Sequence, residues 1–316
     1  MRRADRQRTQ RAAREEFLRR LSGLNVDRSG GVRKPHKPLL LLLAIARIVR
    51  RGERELEFGE VEAALLPLLR LYAPPVRSPD PRLPYWHLRS DEVWSVLGSE
   101  RLALQANGRP TLADLRRTRG CIADRFVGPL LADEGFARDA VARLLDEHFE
   151  PSLHPDILAA VGLEPDWLAA RPSAAAAVRV REARDPSFRD AVLAAYDQRC
   201  AVTGFQAMIG GALFALEAAH VHWHSKGGPS QVTNGIALQP TLHKLFDHGA
   251  WTLDDDRRVL VSSEFSGSDV ALGLLRPLHG KRLREPVRAE CAVDGAFIRW
   301  HRKPELGGVF RWPPLG

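Results

Sequence analysis

Residues 216–249 read LEAAHVHWHSKGGPSQVTNGIALQPTLHKLFDHG and hold five of the chain's 11 histidines around a lone Asn-Gly. Imidazole titrates near neutral pH and also binds metals. Phosphodiester hydrolysis needs a base to activate water. It also needs a cation to bind the phosphate and stabilise charge on the leaving oxygen. His220, Asn234 and His243 are the candidates for these roles. Asp247 follows His243 by four residues and so shares its helical face. Lys226 or Lys244 can add positive charge near a phosphate. For His222, His224 and His248 the plainer reading is preferred: surface or hydrogen-bonded side chains.

Four short elements must bring these groups together. LEAAHVHW alternates as a strand does, SKGGPSQVTNG is a loop, and IALQP is a second short strand. TLHKLFDHG is a short helix, with Thr241 as its cap and Gly249 as its end. His220 then comes from a strand, Asn234 from the loop and His243 from the helix. Upstream, DPSFRDAVLAAYDQRCAVTG is a helix leading into a turn, and it opens a domain that runs to the C-terminus.

The texts RCAVTG, AAHV, NGIAL and LHKLFDHG resemble the HNH nuclease family over residues 188–265. The resemblance implies a ββα-metal fold in which His220 is the general base. Asn234 orients the loop and touches the metal, and His243 is a metal ligand. It also implies a divalent metal. Mg²⁺ or Mn²⁺ suits oxygen and nitrogen ligands beside phosphate, while Zn²⁺, Co²⁺ or Ni²⁺ can occupy a histidine-rich site. Many members carry an Asp directly before the first His. Here that residue is Ala219, so Asp247, Glu217 or His222 is expected to complete the shell. Many members also carry two CxxC zinc pairs. Only Cys200 stands near those positions, so no structural zinc is expected.

The rest of the chain is read for what delivers a target to this site. Its 316 residues suffice for two domains. Net charge is +8 with a sequence pI near 9.9, which favours an anionic partner, nucleic acid above all. An Arg-rich composition is the bland alternative. Cys121, Cys200 and Cys291 form no CxxC pair, which excludes a four-cysteine zinc site and a disulfide framework. The start MRRADRQRTQRAAREEF has no apolar core like that of a signal peptide. The longest apolar run, Pro38 to Ile48, is interrupted by Arg47 and too short for a bilayer. A cytoplasmic protein with no membrane partner is expected.

Residues 1–23 form a basic helix in this reading. LNVDRSGGVRKPHKP is a loop, and PLLLLLAIARIVRRG is a core helix stopped at Gly52. FGEVEAALLPLLRLY is a helix that Pro67 breaks or kinks. RSPDPRLPYWHLRSDEVWSVL is a proline-rich loop followed by strand-like text with a turn at Arg89–Glu92. RLALQ is a short strand, NGRPTL a loop, and 111–149 is helical. Arg33, Lys34, His36 and Lys37 stand at the start of the core helix, where free backbone N–H groups attract phosphate. Tyr85 and Trp86 lie beside Pro84 and near basic residues. Trp86 and Leu88 are read as core.

PHKPLLLL, LPYWHL and DEVW resemble the sulfur-binding domain of McrA-like type IV restriction enzymes, over residues 15–150. The resemblance implies a shallow apolar cavity for the sulfur that replaces a non-bridging phosphate oxygen. Sulfur is larger and less well hydrated than oxygen, so an apolar wall discriminates by desolvation. Carried onto matching positions, the cavity uses Leu83, Pro84 and His87. The basic rim uses His36, Lys37 and Arg109, with Arg33 beside them.

The expected protein is α+β. A mostly helical DNA-reading domain spans 1–150, a linker 151–186 and a C-terminal ββα-metal (HNH) nuclease domain 187–316. Its expected partner is double-stranded phosphorothioate DNA. One nuclease site handles one strand, so a double-strand break implies a homodimer, the expected state, or two successive nicks. Two rivals stand beside this reading: an HNH nuclease for another mark such as 5-methylcytosine, and a DNA-binding regulator whose nuclease site is inactive.

Overall fold

The computed structural model describes residues 2–26, 34–76, 78–170 and 186–316. They fall into two units, one ending with residue 170 and one beginning with residue 186. Arg33 lies outside the described residues, as do 171–185 of the expected linker.

In the first unit, helix α1 (Arg2–Ser22) is anchored by Phe17 and Leu21, both fully buried. The Phe17 ring meets Phe126 at 4.8 Å and Phe136 at 6.0 Å. Burying such side chains stabilises by about 1.5–3 kcal/mol each. Helix α2 (His36–Arg51) buries 11 of its 16 residues, as its unbroken apolar text requires. It stops where Gly52 takes a left-handed conformation, φ 66°, and its N–H bonds back to the last turn. Strand β1 (Glu55–Glu57) leads into α3 (Phe58–Tyr72), which continues through Pro67.

Residues 82–91, expected as the end of a proline-rich loop and strand-like text with a turn at Arg89–Glu92, are helical: α4 (Arg82–His87) passes into a 3₁₀ turn, Leu88–Asp91, which overlaps the expected turn. Pro84 lies in the first turn, where a missing N–H costs no helical bond. The strand starts later, as β2 (Trp94–Leu97). RLALQ forms no strand. Its segment is mostly exposed and closes a turn, with Gln105 N–H donating to the Arg109 carbonyl at 2.8 Å.

Residues 111–149 are not wholly helical. Between α5 (Leu112–Leu115) and α6 (Asp124–Ala132) lies β3 (Arg119–Ile122), the centre of an antiparallel sheet ordered β1-β3-β2. A Cβ on Gly120 would stand 2.1 Å from the Trp94 ring and 2.7 Å from Tyr85, so only glycine lets β3 cross these aromatics. Helix α7 (Glu134–His148) packs on α1 and α2. The unit runs on past residue 150. Helix α8 (His154–Val161) buries Ile157 and Leu158 and packs against α2 and α3, so this part of the expected linker belongs to the fold.

The second unit starts with α9 (Pro186–Ala195) and the hairpin β4 (Ala207–Ile209) and β5 (Ala212–Phe214). Strand β6 (Glu217–His220) pairs antiparallel with β7 (Gly235–Leu238), placing His220 opposite Gly235. Helix α9 lies across this pair. At Gly235 a Cβ would come within 2.3 Å of Val192. Helix α10 (Pro240–Asp247) follows. Gln239, not Thr241, is its N-cap, because Pro240 takes the first helical position. Gly249, φ 71°, ends it as expected.

A hairpin of β8 (Trp251–Leu253) and β9 (Val259–Val261), then α11 (Asp269–Leu275) and α12 (Gly295–Arg302), complete the unit. Val192, Ile236, Leu242, Phe246 and Trp251 form the centre of its core. The chain is thus α+β, a mostly helical first unit followed by a second that contains a ββα motif. Among the described residues no helix is long and apolar enough to cross a membrane.

Candidate active site and DNA-reading surface

The ββα motif places its three named residues on three elements. His220 ends β6, Asn234 precedes β7 and His243 sits in α10. The His220 ring stacks on Phe188 at 4.0 Å, and its Nε2 lies 3.3 Å from the Ser230 hydroxyl. Burial lowers its pKa to about 4, helped by the neighbouring His224. At neutral pH it is therefore an uncharged imidazole, the form a general base requires.

Asn234 is fully buried and turned onto the loop. Its Oδ1 accepts from His222 N–H at 2.8 Å, and its Nδ2 donates to the carbonyls of His222 and Pro229 at 2.9 Å each. Both amide donors are thus engaged by backbone. The geometry makes it the residue that closes the loop, and it leaves the metal contact expected of Asn234 to others.

His243 lies between two carboxylates. Its Nδ1 is 2.8 Å from Glu217 Oε2 and its Nε2 is 3.1 Å from Asp247 Oδ2. Burial disfavours its charge, but Asp247 and Glu217 outweigh that and raise the pKa to about 10. The bond to His243 in turn holds the Glu217 carboxyl below its usual range. The two carboxylates differ in access. The Asp247 side chain is 1% exposed and also accepts from Trp223 Nε1 at 3.0 Å, whereas that of Glu217 is 48% exposed. Glu217 shares a strand face with Ala219, because side chains alternate along β6. It therefore supplies a carboxylate on the face where Ala219 has none. Among the described residues no three His, Cys, Asp or Glu side chains already form a metal shell. A hard divalent ion that keeps water and phosphate as its other ligands fits between Glu217 and His243 when it takes the place of the Nδ1 proton, since metal binding requires the neutral imidazole.

Helix α12 supports this helix from behind. His301, fully buried, donates from Nε2 to the Phe246 carbonyl at 3.2 Å and accepts at Nδ1 from the Thr252 hydroxyl at 2.9 Å. Burial pushes its pKa down to about 3. His222 stacks on Trp300 at 4.2 Å. The sequence reading missed His301, whose neighbours give no local signal of a partner 55 residues away.

In the first unit, α4 presents His87 exposed and Leu83 half-buried, while Pro84, Tyr85 and Trp86 are buried. Trp86 Nε1 donates to the Gly108 carbonyl at 3.1 Å and so ties the NGRP loop to α4. Arg89 lies over the Trp86 ring at 3.3 Å. This clamp brings exposed Arg109 towards His87, whose pKa is lowered by partial desolvation of its ring and by the charges of Arg109, Lys37 and Arg89. Lys37 differs from the exposed rim cation expected of it. It is buried, and its Nζ bonds Asp91 Oδ2 at 2.5 Å and the Asn25 carbonyl at 2.7 Å. His36, half-buried, opens α2. Leu83, His87 and Arg109 are the groups that face solvent.

A helical unit presenting exposed cationic and apolar groups, followed by a ββα unit with a neutral histidine and a carboxylate-flanked one, defines a DNA-binding nuclease. Residues 14–166 match the family model of the ScoMcrA-like DNA sulfur-binding domain, and residues 200–254 match that of the HNH endonucleases. The chain accordingly joins a ScoMcrA-like DNA sulfur-binding domain to an HNH domain and is an HNH endodeoxyribonuclease. HNH nucleases generally use a divalent metal.

Solved structures similar to the chain include the sulfur-binding domain of ScoMcrA complexed with phosphorothioated DNA. That likeness has 28% identity and a TM-score of 0.43, over 48% of this chain and 98% of that one. The sulfur-binding domain of SprMcrA in a like complex shows 26% identity and a TM-score of 0.39, over 48% and 94%. The type IV phosphorothioation-dependent restriction endonuclease ScoMcrA shows 18% identity and a TM-score of 0.38, over 72% and 81%. None of the curated proteins matches the chain.

Proposed function

We propose that this protein binds duplex DNA carrying phosphorothioate through its first unit and hydrolyses phosphodiester bonds with its second. The observation that carries the proposal is the coincidence of the two family matches with two built sites. Leu83 and the edge of Pro84 form the apolar wall for sulfur. His87, His36 and Arg109 balance the phosphate charge, with Arg33 as a further contact; Lys37 acts from beneath by holding the turn at Asp91. Sulfur loses less hydration than oxygen on entering such a wall, and the cations supply the sequence-independent part of affinity.

In the nuclease unit His220 takes the proton of the attacking water. Asn234 fixes the loop that follows it. Glu217 and His243 hold the divalent ion, Mg²⁺ or Mn²⁺, and buried Asp247 orients the His243 ring through Nε2. When bound there, the ion would bind the scissile phosphate and stabilise charge on the leaving oxygen. One such site cuts one strand, so a double-strand break is made by a homodimer, working in the cytoplasm. Sedimentation showing a strict monomer on DNA that is nonetheless cut through both strands would overturn the dimer.

The test uses one labelled duplex in phosphorothioate and plain form, at fixed salt, with Mg²⁺ and then Mn²⁺. Binding and cutting confined to the sulfur form are expected, with His220→Ala binding but not cutting. Equal treatment of both duplexes removes the sulfur reading and points to another mark, such as 5-methylcytosine. Binding without cutting by the wild type points to an inactive nuclease site.

A further inference from the structure

The loop between β6 and β7 is braced along its whole length. Asn234, at its end, bonds back to His222 near its start and to Pro229 in its second half. Between them Trp223 is buried and bonded to Asp247. The N–H groups of Lys226 and Gly228 both return to the Trp223 carbonyl at 2.9 Å, and Gly227 N–H returns to that of His224 at 3.0 Å. A Cβ on Gly228 would stand 1.9 Å from the His222 carbonyl oxygen, so the loop also closes by direct backbone packing. This braced turn carries one exposed imidazole, His224, the first residue of the His224–Lys226 turn. Its ring centroid lies 5.8 Å from that of His220.

The geometry points to His224 as a second catalytic histidine, donating a ring N–H to a non-bridging oxygen of the phosphate under attack. The inference rests on the assignment of His220 as the base. A base must lie within about 3 Å of the water it activates. That water must lie about 3–3.5 Å from phosphorus before attack. The phosphate therefore sits within roughly 6 Å of the reacting nitrogen of His220. The His224 ring, exposed and with its centroid 5.8 Å from that of His220, therefore stands within reach of one of its oxygens. Neutral imidazole keeps one N–H donor, so this role requires no charge on His224.

In the reaction the water oxygen bonds to phosphorus, its proton passes to His220, and the P–O ester bond breaks. The leaving oxygen is protonated from solvent. His224 transfers no proton; its N–H bond strengthens as charge grows on the phosphoryl oxygens. Donors held in place before charge develops lower the barrier because nothing has to reorganise. The bracing by Asn234 thus positions a substrate contact as well as the strand end at His220.

The test is single-turnover cleavage by the full chain of a phosphorothioate-marked duplex with Mn²⁺, comparing wild type, His224→Ala, His224→Gln and His220→Ala. Metal-free binding of the same duplex and denaturant midpoints are measured alongside. His224→Ala is expected to lose about 10²–10³-fold in rate, the cost of one oxyanion donor. His224→Gln, whose amide offers an N–H, is expected to recover at least about tenfold of that. Binding and midpoint should match the wild type in both. Wild-type cleavage by His224→Ala, or equal loss in Ala and Gln, overturns the assignment. A silent wild type overturns the nuclease reading together with it. An active wild type with a silent His220→Ala and an unaffected His224→Ala rejects the role of His224 alone.

Discussion

The two sites solve opposite problems with polar groups. In the nuclease unit they are drawn inside: Asn234, Asp247 and His301 are all buried, each with a protein partner. In the reading unit Lys37 is drawn in as well, but the groups placed to meet DNA stay outside. His87 and Arg109 face solvent, and an aromatic clamp of Trp86 on Gly108 holds their loop and helix together. The difference follows from the ligand chemistry. A reaction centre needs side chains fixed to within a fraction of an ångström before charge develops, and buried hydrogen bonds do this. A surface that recognises phosphate needs accessible charge and an apolar wall, and rigid packing beneath is enough.

Single substitutions should separate the two strategies. The largest effect is expected at His220. Its replacement by alanine should reduce cleavage by about 10²–10⁴-fold while leaving the affinity for modified DNA unchanged; a parallel loss of affinity would mean that the sites are not separable. Next comes Asn234→Ala, which takes the side-chain partner from the part-buried N–H and carbonyl of His222 and the carbonyl of Pro229. A loss of about 3 kcal/mol in a denaturant titration is expected, together with loss of cutting. If stability were untouched, the buried network would not be what fixes the site.

Acidity should act on the nuclease unit through its histidines. The pKa of His301 is near 3 when folded and 6.5 ordinarily. Between those values the unfolded chain binds the extra proton more readily, so its contribution is complete above pH 6.5 and is lost as pH falls towards 3. His243 works in the other direction in metal-free protein. With a folded pKa near 10, its contribution is complete below pH 6.5 and is lost as pH rises through 10. Calorimetry across pH should show an acid limb flattened by His301→Asn and an alkaline limb flattened by His243→Gln.

The smallest effect is expected at the reading surface. Arg109→Ala should weaken binding of modified and plain duplex roughly tenfold alike at fixed salt and reduce the salt slope, as removal of a phosphate contact does. The melting transition should stay within about 0.5 kcal/mol of wild type. A loss restricted to the sulfur form would instead place Arg109 in the recognition cavity itself.

Local signals were read well where a local cause acts. The alternation along β6, the all-apolar text of α2 and the left-handed glycines at 52 and 249 state their conformations in a few residues. Readings failed where packing overrode such signals. RLPYWH looks extended because it is aromatic and holds proline, yet it is helical and buries Pro84, Tyr85 and Trp86 on the first unit's core. Residues 111–149 have helical texture, but a strand runs through them because Gly120 can pass the Trp94 ring.

By itself the sequence determined the core helix α2 with its stop at Gly52, the placement of His220, Asn234 and His243 on strand, loop and helix, and the basic character of the chain. These follow from backbone preference, side-chain period and charge, which belong to neighbouring residues. Tertiary structure alone decided what those residues bind. It set Lys37 against Asp91 across 54 positions, turned Asn234 onto its own loop, and put Glu217 beside His243 across 26. A hydrogen bond or ion pair depends on which elements pack together and on how much water that packing removes, and neither is encoded within any one segment.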